Sequence, residues 1–271
     1  MRYEMIPPPP ELAPYVRYFW ILEADVMQGT DFVYRSMADG SAELLFHYQG
    51  MFDEVKGEDR LEQSFFSGLH GQSRHMRRFI IHQHFGIFGV YLYPFALPLL
   101  CSVAADCLSD QMIDLPSLMG KEGGRLEEQM MLAADNKERL KIITAFLRKR
   151  FGSVRDWKPD VHEVIRTMIH TKGQVPVRQL AAQSFLSLRQ FERKFKAGAG
   201  FSPKLYMRIL RFQEAIRAYS GRNKSLTDLA YDCGYADQSH FIHDFKEFSG
   251  GYHPTAFFKR ADSDISGVEL M

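Results

Sequence analysis

The sequence predicts an α+β protein in which a β-rich N-terminal domain is followed by a helical connector and an all-α C-terminal domain. Three observations predict this fold class. Short segments rich in aromatic and β-branched residues, bounded by Gly, Pro or Asp, fill the first half. Apolar residues at helical spacing begin near residue 125, and the C-terminal third repeats itself. The predicted boundaries are 1–124 for the β domain, 125–158 for the connector and linker, 159–260 for the helical domain and 261–271 for a tail.

The composition is that of a soluble globular protein, with 45% hydrophobic and 25% charged residues. The three cysteines, Cys101, Cys107 and Cys233, form neither a C-x-x-C pair nor a metal-type spacing, which favours a reducing compartment. The N-terminal residues lack the apolar stretch of a signal peptide. The apolar run at 87–103 is interrupted by Gly and Pro and is too short to span a membrane. We therefore expect a cytoplasmic protein without a membrane segment.

Charge is distributed unevenly along a chain whose net charge is only +1. Residues 153–260 carry 18 Lys and Arg against 10 Asp and Glu, a net +8, whereas residues 1–152 carry 16 against 20, a net −4. A basic domain inside a neutral chain indicates contact with a polyanion such as nucleic acid. Chance segregation of surface charge is the alternative.

In the N-terminal half, the segments 15–21, 43–48 and 85–93 are predicted to be strands. The stretch 125–151 has its apolar residues at helical spacing, and basic residues gather at its end, where they suit the helix dipole. Two roles are open for this helical stretch: a dimer seam, or packing against its own β domain. The Gly, Ser and Pro residues of 152–159 mark the domain boundary.

The helices that follow Pro159 carry recognisable start and stop signals. Gly173 suits a helix C-terminus. Ser187 opens a capping-box pattern, and Ser202 is followed by a proline at the first helical position. Ser225 opens a similar pattern that has Asp at the third position.

The C-terminal third contains two copies of one pattern. Residues that match between the copies are Leu180 and Leu229, Ala181 and Ala230, Phe195 and Phe245, Lys196 and Lys246, Gly200 and Gly250, Pro203 and Pro254, and Tyr206 and Phe257. Each copy predicts a short helix, a tight turn and a second helix, which is the helix-turn-helix plan.

The second helix of each copy has one apolar and one polar face. Phenylalanines four residues apart fill the core beneath it. The polar face predicts a DNA contact surface, because Arg and Gln can read base edges through paired hydrogen bonds. A helical bundle with no DNA role is the alternative. The predicted contact residues are Arg189, Gln190, Arg193 and Lys196 in the first copy, and Gln238, Ser239, His240 and His243 in the second.

These motifs resemble the AraC/XylS family of transcription regulators. "GYADQSHFIHDFKEFSG" is similar to the family's second helix-turn-helix, and "LSLRQFERKFKAGAGFSPKLY" is similar to the first. The resemblance covers about 100 residues, 159–260. It implies two DNA-reading subdomains joined by a long helix, not an enzyme. It also implies double-stranded DNA and RNA polymerase as partners, and activation more often than repression.

Two departures from the family pattern carry their own expectations. The first turn has Phe185 where the second copy has Gly234. A bulky side chain disfavours a positive φ, so we expect the first turn to be reshaped. One extra residue before Pro254 leaves the path over 251–257 open.

The N-terminal half more loosely resembles the cupin-like sensing domain of some family members, through "PPPPELAPYVRYFWIL" and "ADGSAELLFHY". The resemblance implies binding of a small-molecule effector, formation of a homodimer, or both, and it names no cofactor. Two rival hypotheses remain. One is a metal-dependent cupin enzyme fused to a DNA-binding domain, and the other is a constitutive DNA-binding dimer without an effector.

His82 and His84 are the residues on which the metal hypothesis depends. Two residues apart, they share one face of a strand. A cupin metal site also needs a carboxylate soon afterwards, and no acid follows before Asp106. We therefore expect no metal and exposed strand histidines.

A small basic cluster is formed by Arg74, His75, Arg77 and Arg78. It could hold an anionic effector. A solvated loop is the expectation we favour.

Overall fold

A computed structural model describes residues 1–27, 29–57, 60–152, 160–219 and 225–261. Residues 153–158 of the predicted connector and linker, residue 159 of the predicted helical domain, and all but the first residue of the predicted tail lie outside these ranges. The chain forms two compact units. The first comprises Met1–Val33, Ser41–Gln72 and Arg78–Trp157, and the second comprises Tyr34–Gly40, Ser73–Arg77 and Lys158–Met271.

The strands of the N-terminal half form two sheets. They are β1 (Arg2–Ile6), β2 (Val16–Ala24), β3 (Phe32–Ser36), β4 (Ala42–Gln49), β5 (Asp53–Lys56), β6 (Arg60–Gln63), β7 (Ser67–His70), β8 (Arg77–Ile81), β9 (Phe85–Leu92) and β10 (Met112–Asp114). The six-stranded sheet has the order β1-β2-β9-β4-β7-β10, and the four-stranded sheet has the order β3-β8-β5-β6. The three predicted strands are β2, β4 and β9, which lie side by side in the larger sheet.

Alternation along the strands decides which side chains enter the main core. In β4, Leu44 and Phe46 point to one face of the larger sheet, where they join Phe19 and Phe88 in a buried cluster. His47 points to the other face, where its ring lies 5.8 Å from the ring of Phe52.

The helices of the first unit cover the Leu44 face of the larger sheet. They are α1 (Leu97–Cys101), α2 (Ala105–Leu108), α3 (Leu115–Met119), α4 (Lys121–Leu132) and α5 (Asn136–Gly152). The apolar residues Leu126, Met130, Ile143, Leu147 and Phe151 of α4 and α5 belong to the same buried cluster as the sheet. The helical stretch predicted at 125–151 therefore packs against its own β domain, the second of its two open roles.

The second unit is helical after residue 160. Its helices are α6 (Asp160–His170), α7 (Val177–Gln183), α8 (Leu188–Ala199), α9 (Pro203–Ala218), α10 (Leu226–Asp232), α11 (Gln238–Phe248) and α12 (Pro254–Ala261). Two helix-turn-helix units result, α7–α8 and α10–α11. Within the residues described, none of the helices is both long and apolar enough to cross a membrane.

Helix α9 supplies core residues to both helix-turn-helix units. Tyr206 packs against Phe195 of α8 with ring centroids 5.5 Å apart. Phe212 packs against Phe245 of α11 with ring centroids 5.2 Å apart. All four rings are fully buried. The predicted phenylalanine cores are therefore confirmed, and both are anchored on one helix.

Candidate nucleic-acid interface

The turn between α7 and α8, which has Phe185 in place of glycine, has the same conformation as the turn between α10 and α11. The expectation that Phe185 reshapes this turn was therefore wrong. Phe185 adopts a left-handed conformation with φ +53°, close to the +75° of Gly234. The backbone hydrogen bonds also correspond, with Phe185 N donating to Ala182 O at 3.1 Å and Gly234 N to Tyr231 O at 2.9 Å. The Phe185 side chain is 97% exposed, so it clashes with nothing, and only the local backbone strain of about 1–2 kcal/mol remains.

The extra residue before Pro254 is accommodated by two consecutive glycines. Gly250 and Gly251 have φ values of +74° and +94°, a region that favours glycine. Helix α12 then begins at Pro254, and Thr255 N donates to His253 Nδ1 at 3.3 Å. The repeat is thus restored by the start of α12.

The first recognition helix, α8, begins with the predicted capping box. Ser187 Oγ accepts from Gln190 N at 3.4 Å, and Gln190 Oε1 accepts from Ser187 N at 3.2 Å. Each side chain thereby satisfies a backbone N–H at the start of the helix.

The structure places the predicted contact residues of α8 at the surface. Arg189, Gln190, Arg193 and Lys196 are all exposed, while Phe191 beneath them is buried. The helix carries four cations and one anion, a net +3. This face suits a polyanionic partner.

The second recognition helix, α11, presents less charge. Asp237 caps it by accepting from His240 N at 2.7 Å. Ser239, His240 and His243 are exposed, whereas Gln238 is half-buried and its Oε1 accepts from Thr227 Oγ1 at 2.9 Å. Counting histidines as neutral, α11 has one cation and two anions, a net −1.

An ion-pair cluster joins α11 to α9, and sequence reasoning missed it. Asp244 is 1% exposed and receives three hydrogen bonds from Arg208, the shortest from Nη2 at 2.7 Å. Arg208 Nη2 also donates to Glu247, to which Arg74 Nη2 donates at 2.6 Å. The sequence signal for this cluster is Asp244, an acidic residue that lies between the core residues Phe241 and Phe245 of α11.

The charges in this cluster are mutually compensated. Burial raises the pKa of Glu247, but the hydrogen bonds from Arg74 and Arg208 outweigh it and hold that pKa below its usual value. His243, Asp244 and Glu247 could in geometry gather around a metal ion, since their ligand atoms lie within 4.8 Å of one another. The Arg208 guanidinium already occupies both carboxylates, so the cluster is better described as an ion-pair network.

The two histidines of the metal hypothesis lie elsewhere than predicted. His82 and His84 are in the turn between β8 and β9, not on one strand face. His82 Nδ1 lies 2.7 Å from Asp31 Oδ1, and His84 Nδ1 lies 2.8 Å from Asp25 Oδ1. Each histidine is exposed and paired with its own carboxylate, so this turn gives no support to an enzyme.

The predicted basic cluster is also not a simple solvated loop. Arg74 pairs with Glu247, and the segment Ser73–Arg77 clusters with the helical unit rather than with the β domain. The pairing could not be read from the sequence because the two residues lie 173 positions apart.

Two family models match the chain. A domain of unknown function, DUF6597, matches residues 4–114, and a helix-turn-helix domain matches residues 180–260.

The chain is similar in part to two curated activators. The HTH-type transcriptional activator RhaS of Klebsiella pneumoniae (strain 342) is 28% identical over 109 residues, 40% of this chain and 32% of RhaS. RhaS of Escherichia coli O157:H7 is 26% identical over 136 residues, 47% of this chain and 42% of that protein. The chain therefore spans less than half the length of these curated relatives.

Solved structures are similar at lower identity. ToxT from Vibrio cholerae is 11% identical with a TM-score of 0.47, over 89% of this chain and 98% of ToxT. The DNA-binding domain of AdpA, in complex with a target DNA, is 24% identical with a TM-score of 0.36, over 40% of this chain and 96% of that domain.

Two helix-turn-helix units on one shared helix, with their polar faces exposed, define a DNA-binding protein. The matched helix-turn-helix domain lies inside the region that carries the family motifs, and the RhaS similarity agrees with it. The C-terminal helix-turn-helix region is therefore similar to that of AraC/XylS family regulators.

Proposed function

We propose that this protein is a sequence-specific transcription regulator, an activator, whose N-terminal domain binds a small effector or forms a homodimer. The observation that carries the proposal is the pair of exposed recognition helices held by α9. This helix has 16 residues and is therefore about 24 Å long at ~1.5 Å per residue. A rigid helix of this length supports two helices entering successive major grooves, which lie about 34 Å apart.

Affinity and sequence choice come from different side chains. Contacts of Lys and Arg with phosphates supply affinity and a steep dependence on salt. Contacts of α8 and α11 side chains with base edges supply the choice of sequence. Both helices are fixed by side-chain caps and buried phenylalanines, so each presents a preordered surface to DNA.

The assignment as an activator is supported by the RhaS relatives, which are themselves named transcriptional activators. Activation implies RNA polymerase as a partner at the promoter, in the cytoplasm. The effector role of the N-terminal domain is supported by its cupin-like resemblance and by its two-sheet fold. A ligand that binds only the folded domain raises its melting temperature, so a thermal-shift screen of small metabolites tests that role.

The DNA-reading proposal is tested with Arg193→Ala. Loss of one bidentate base contact is expected to weaken specific binding by about 1–3 kcal/mol and to relax the preference at one base pair. The matched control is Arg60→Ala, which removes an exposed arginine of the same charge from β6 in the first unit. Fluorescence anisotropy on a selected site and its single-base variants measures both. An unchanged preference in Arg193→Ala removes this residue from base reading.

The regulatory proposal is tested by transcription in vitro from a promoter that carries the selected site. Addition of the protein is expected to raise the amount of transcript made by purified RNA polymerase holoenzyme. A fall in transcript with intact DNA binding would make the protein a repressor.

A further inference from the structure

The hydrogen bonds of Gln190 limit what this residue can read. Its Oε1 accepts from Ser187 N at 3.2 Å and from Ser187 Oγ at 3.0 Å, so the carbonyl of the amide is engaged in the helix cap. Only the Nε2 donors are left to face a partner. Recognition of adenine by glutamine needs the donor and the acceptor together, for N7 and N6. The cap therefore removes the adenine code from the first recognition helix.

The other exposed groups of α8 fit a different base pair. Arg189 and Arg193 are four residues apart, so they lie on one face of the helix, about 6 Å apart along its axis. Arginine has donors only, which match the N7 and O6 acceptors of guanine. Glu192 is also exposed and offers acceptors, which match the N4 amino group of cytosine. The donors and the acceptor thus complement the two bases of a G·C pair.

We propose that Gln190 is a capping residue rather than a base reader, and that the first recognition helix reads G·C base pairs. Arg189 and Arg193 contact guanines, and Glu192 contacts a cytosine. The 6 Å between the arginines corresponds to about two base-pair steps, so the guanines lie close together in the first half of the site. This inference rests on the proposed function and narrows it to a class of DNA sequence.

Gln190→Glu separates the two roles of this residue. Glutamate at the third position of a helix keeps the capping box and removes the Nε2 donors. The added charge lowers affinity for all DNA alike, so the readout is the relative preference among single-base variants of the selected site. We expect an unchanged preference profile in Gln190→Glu. Gln190→Ala is expected to lower the melting temperature and also to leave the profile unchanged.

The arginine arm is tested with DNA that contains 7-deazaguanine, which lacks the N7 acceptor. Substitution in the first block of the site is expected to weaken binding of the wild-type protein about tenfold. Arg189→Ala and Arg193→Ala are each expected to lose sensitivity at one guanine. The same substitution in the second block serves as the matched control for effects of the analogue on DNA itself.

The outcomes separate this inference from the proposed function. Specific binding with an A·T-centred first block, or a shift at an A·T position in Gln190→Glu, overturns the inference and leaves the function standing. Binding without any sequence preference overturns the proposed function itself. A G·C first block whose preference survives both arginine variants also overturns the inference.

Discussion

The two helix-turn-helix units share one plan and differ in their electrostatics. The first recognition helix carries a net +3, and its N-terminal turn is closed by its own glutamine. The second carries a net −1 and is tied to α9 by a buried ion pair between Arg208 and Asp244. The turn of the first unit has a phenylalanine where the second has a glycine.

The two copies of this duplicated fold therefore differ in what they can contribute to DNA binding. The first helix-turn-helix unit has the positive charge on α8 that supplies affinity for DNA. The recognition helix of the second helix-turn-helix unit has one cation and two anions, and a salt bridge to α9 supplements its phenylalanine core. We infer that the first helix-turn-helix unit governs the salt dependence of DNA binding. DNA contact by the second depends more on the fixed orientation of α11 on α9.

Arg208→Met should have the largest effect, because it leaves Asp244 buried and without its cation. The expected loss is about 3–5 kcal/mol in the free energy of unfolding. The control is Lys172→Met, which breaks the more exposed pair with Glu214 and should cost at most about 1 kcal/mol. Denaturant unfolding measures both. Equal losses would show that the buried pair has no special role in the second unit.

Exchange of the two turn residues should have opposite effects in the two units. Gly234→Phe places a bulky residue at φ +75° and should destabilise the protein by about 1–3 kcal/mol. Phe185→Gly relieves the left-handed strain and loses no buried surface, because the ring is 97% exposed, so it should stabilise by about 0.5–1 kcal/mol. Thermal unfolding measures the change in stability of each variant relative to the wild type. Destabilisation by Phe185→Gly would contradict this prediction, because it would mean that the Phe185 ring makes stabilising contacts in the folded protein.

Removal of a cation from the first recognition helix should lower the salt dependence of DNA binding. Lys196→Ala is expected to reduce the slope of log affinity against log salt by about 0.9. Gln238→Ala, an uncharged change on α11, should leave the slope as it is. Anisotropy titrations over a series of salt concentrations measure the two slopes, and a similar fall for both variants would contradict the inferred difference between the two units.

Acid should weaken the ion-pair cluster of the second unit by a small amount. The pKa of Glu247 is lower in the folded protein than its ordinary value, so its ionised form stabilises the fold. That contribution is complete above the ordinary value of 4.5 and is lost as the pH falls through the lower folded value. Glu247→Gln should therefore be less stable than the wild type at pH 7, by about 1 kcal/mol or less, and the gap should close in acid. A constant gap from pH 7 to pH 3 would exclude this linkage.

Local features of the helical domain could be predicted from the sequence. The caps at Ser187, Ser202 and Ser225 form as expected, because capping depends on residues only three positions apart. The buried phenylalanines of both recognition helices follow from helical spacing. Three central strands were likewise visible as short aromatic segments.

Features that depend on distant contacts could not be predicted. Arg208 and Asp244 lie 36 residues apart and meet only because α9 crosses α11. The conformation of Phe185 ran against its propensity, since the hydrogen bonds that close the turn outweigh the cost of a positive φ. The positions of His82 and His84 depended on where β8 ends, and element ends are poorly marked in sequence.

Selection of bound DNA from a random pool, followed by salt titration of the selected site, tests the central claim most directly. We expect a motif of two blocks about 10 base pairs apart, of which Arg189→Ala and Arg193→Ala alter only the first. A selected pool without any motif, bound weakly and only at low salt concentration, would contradict sequence-specific reading by the two recognition helices.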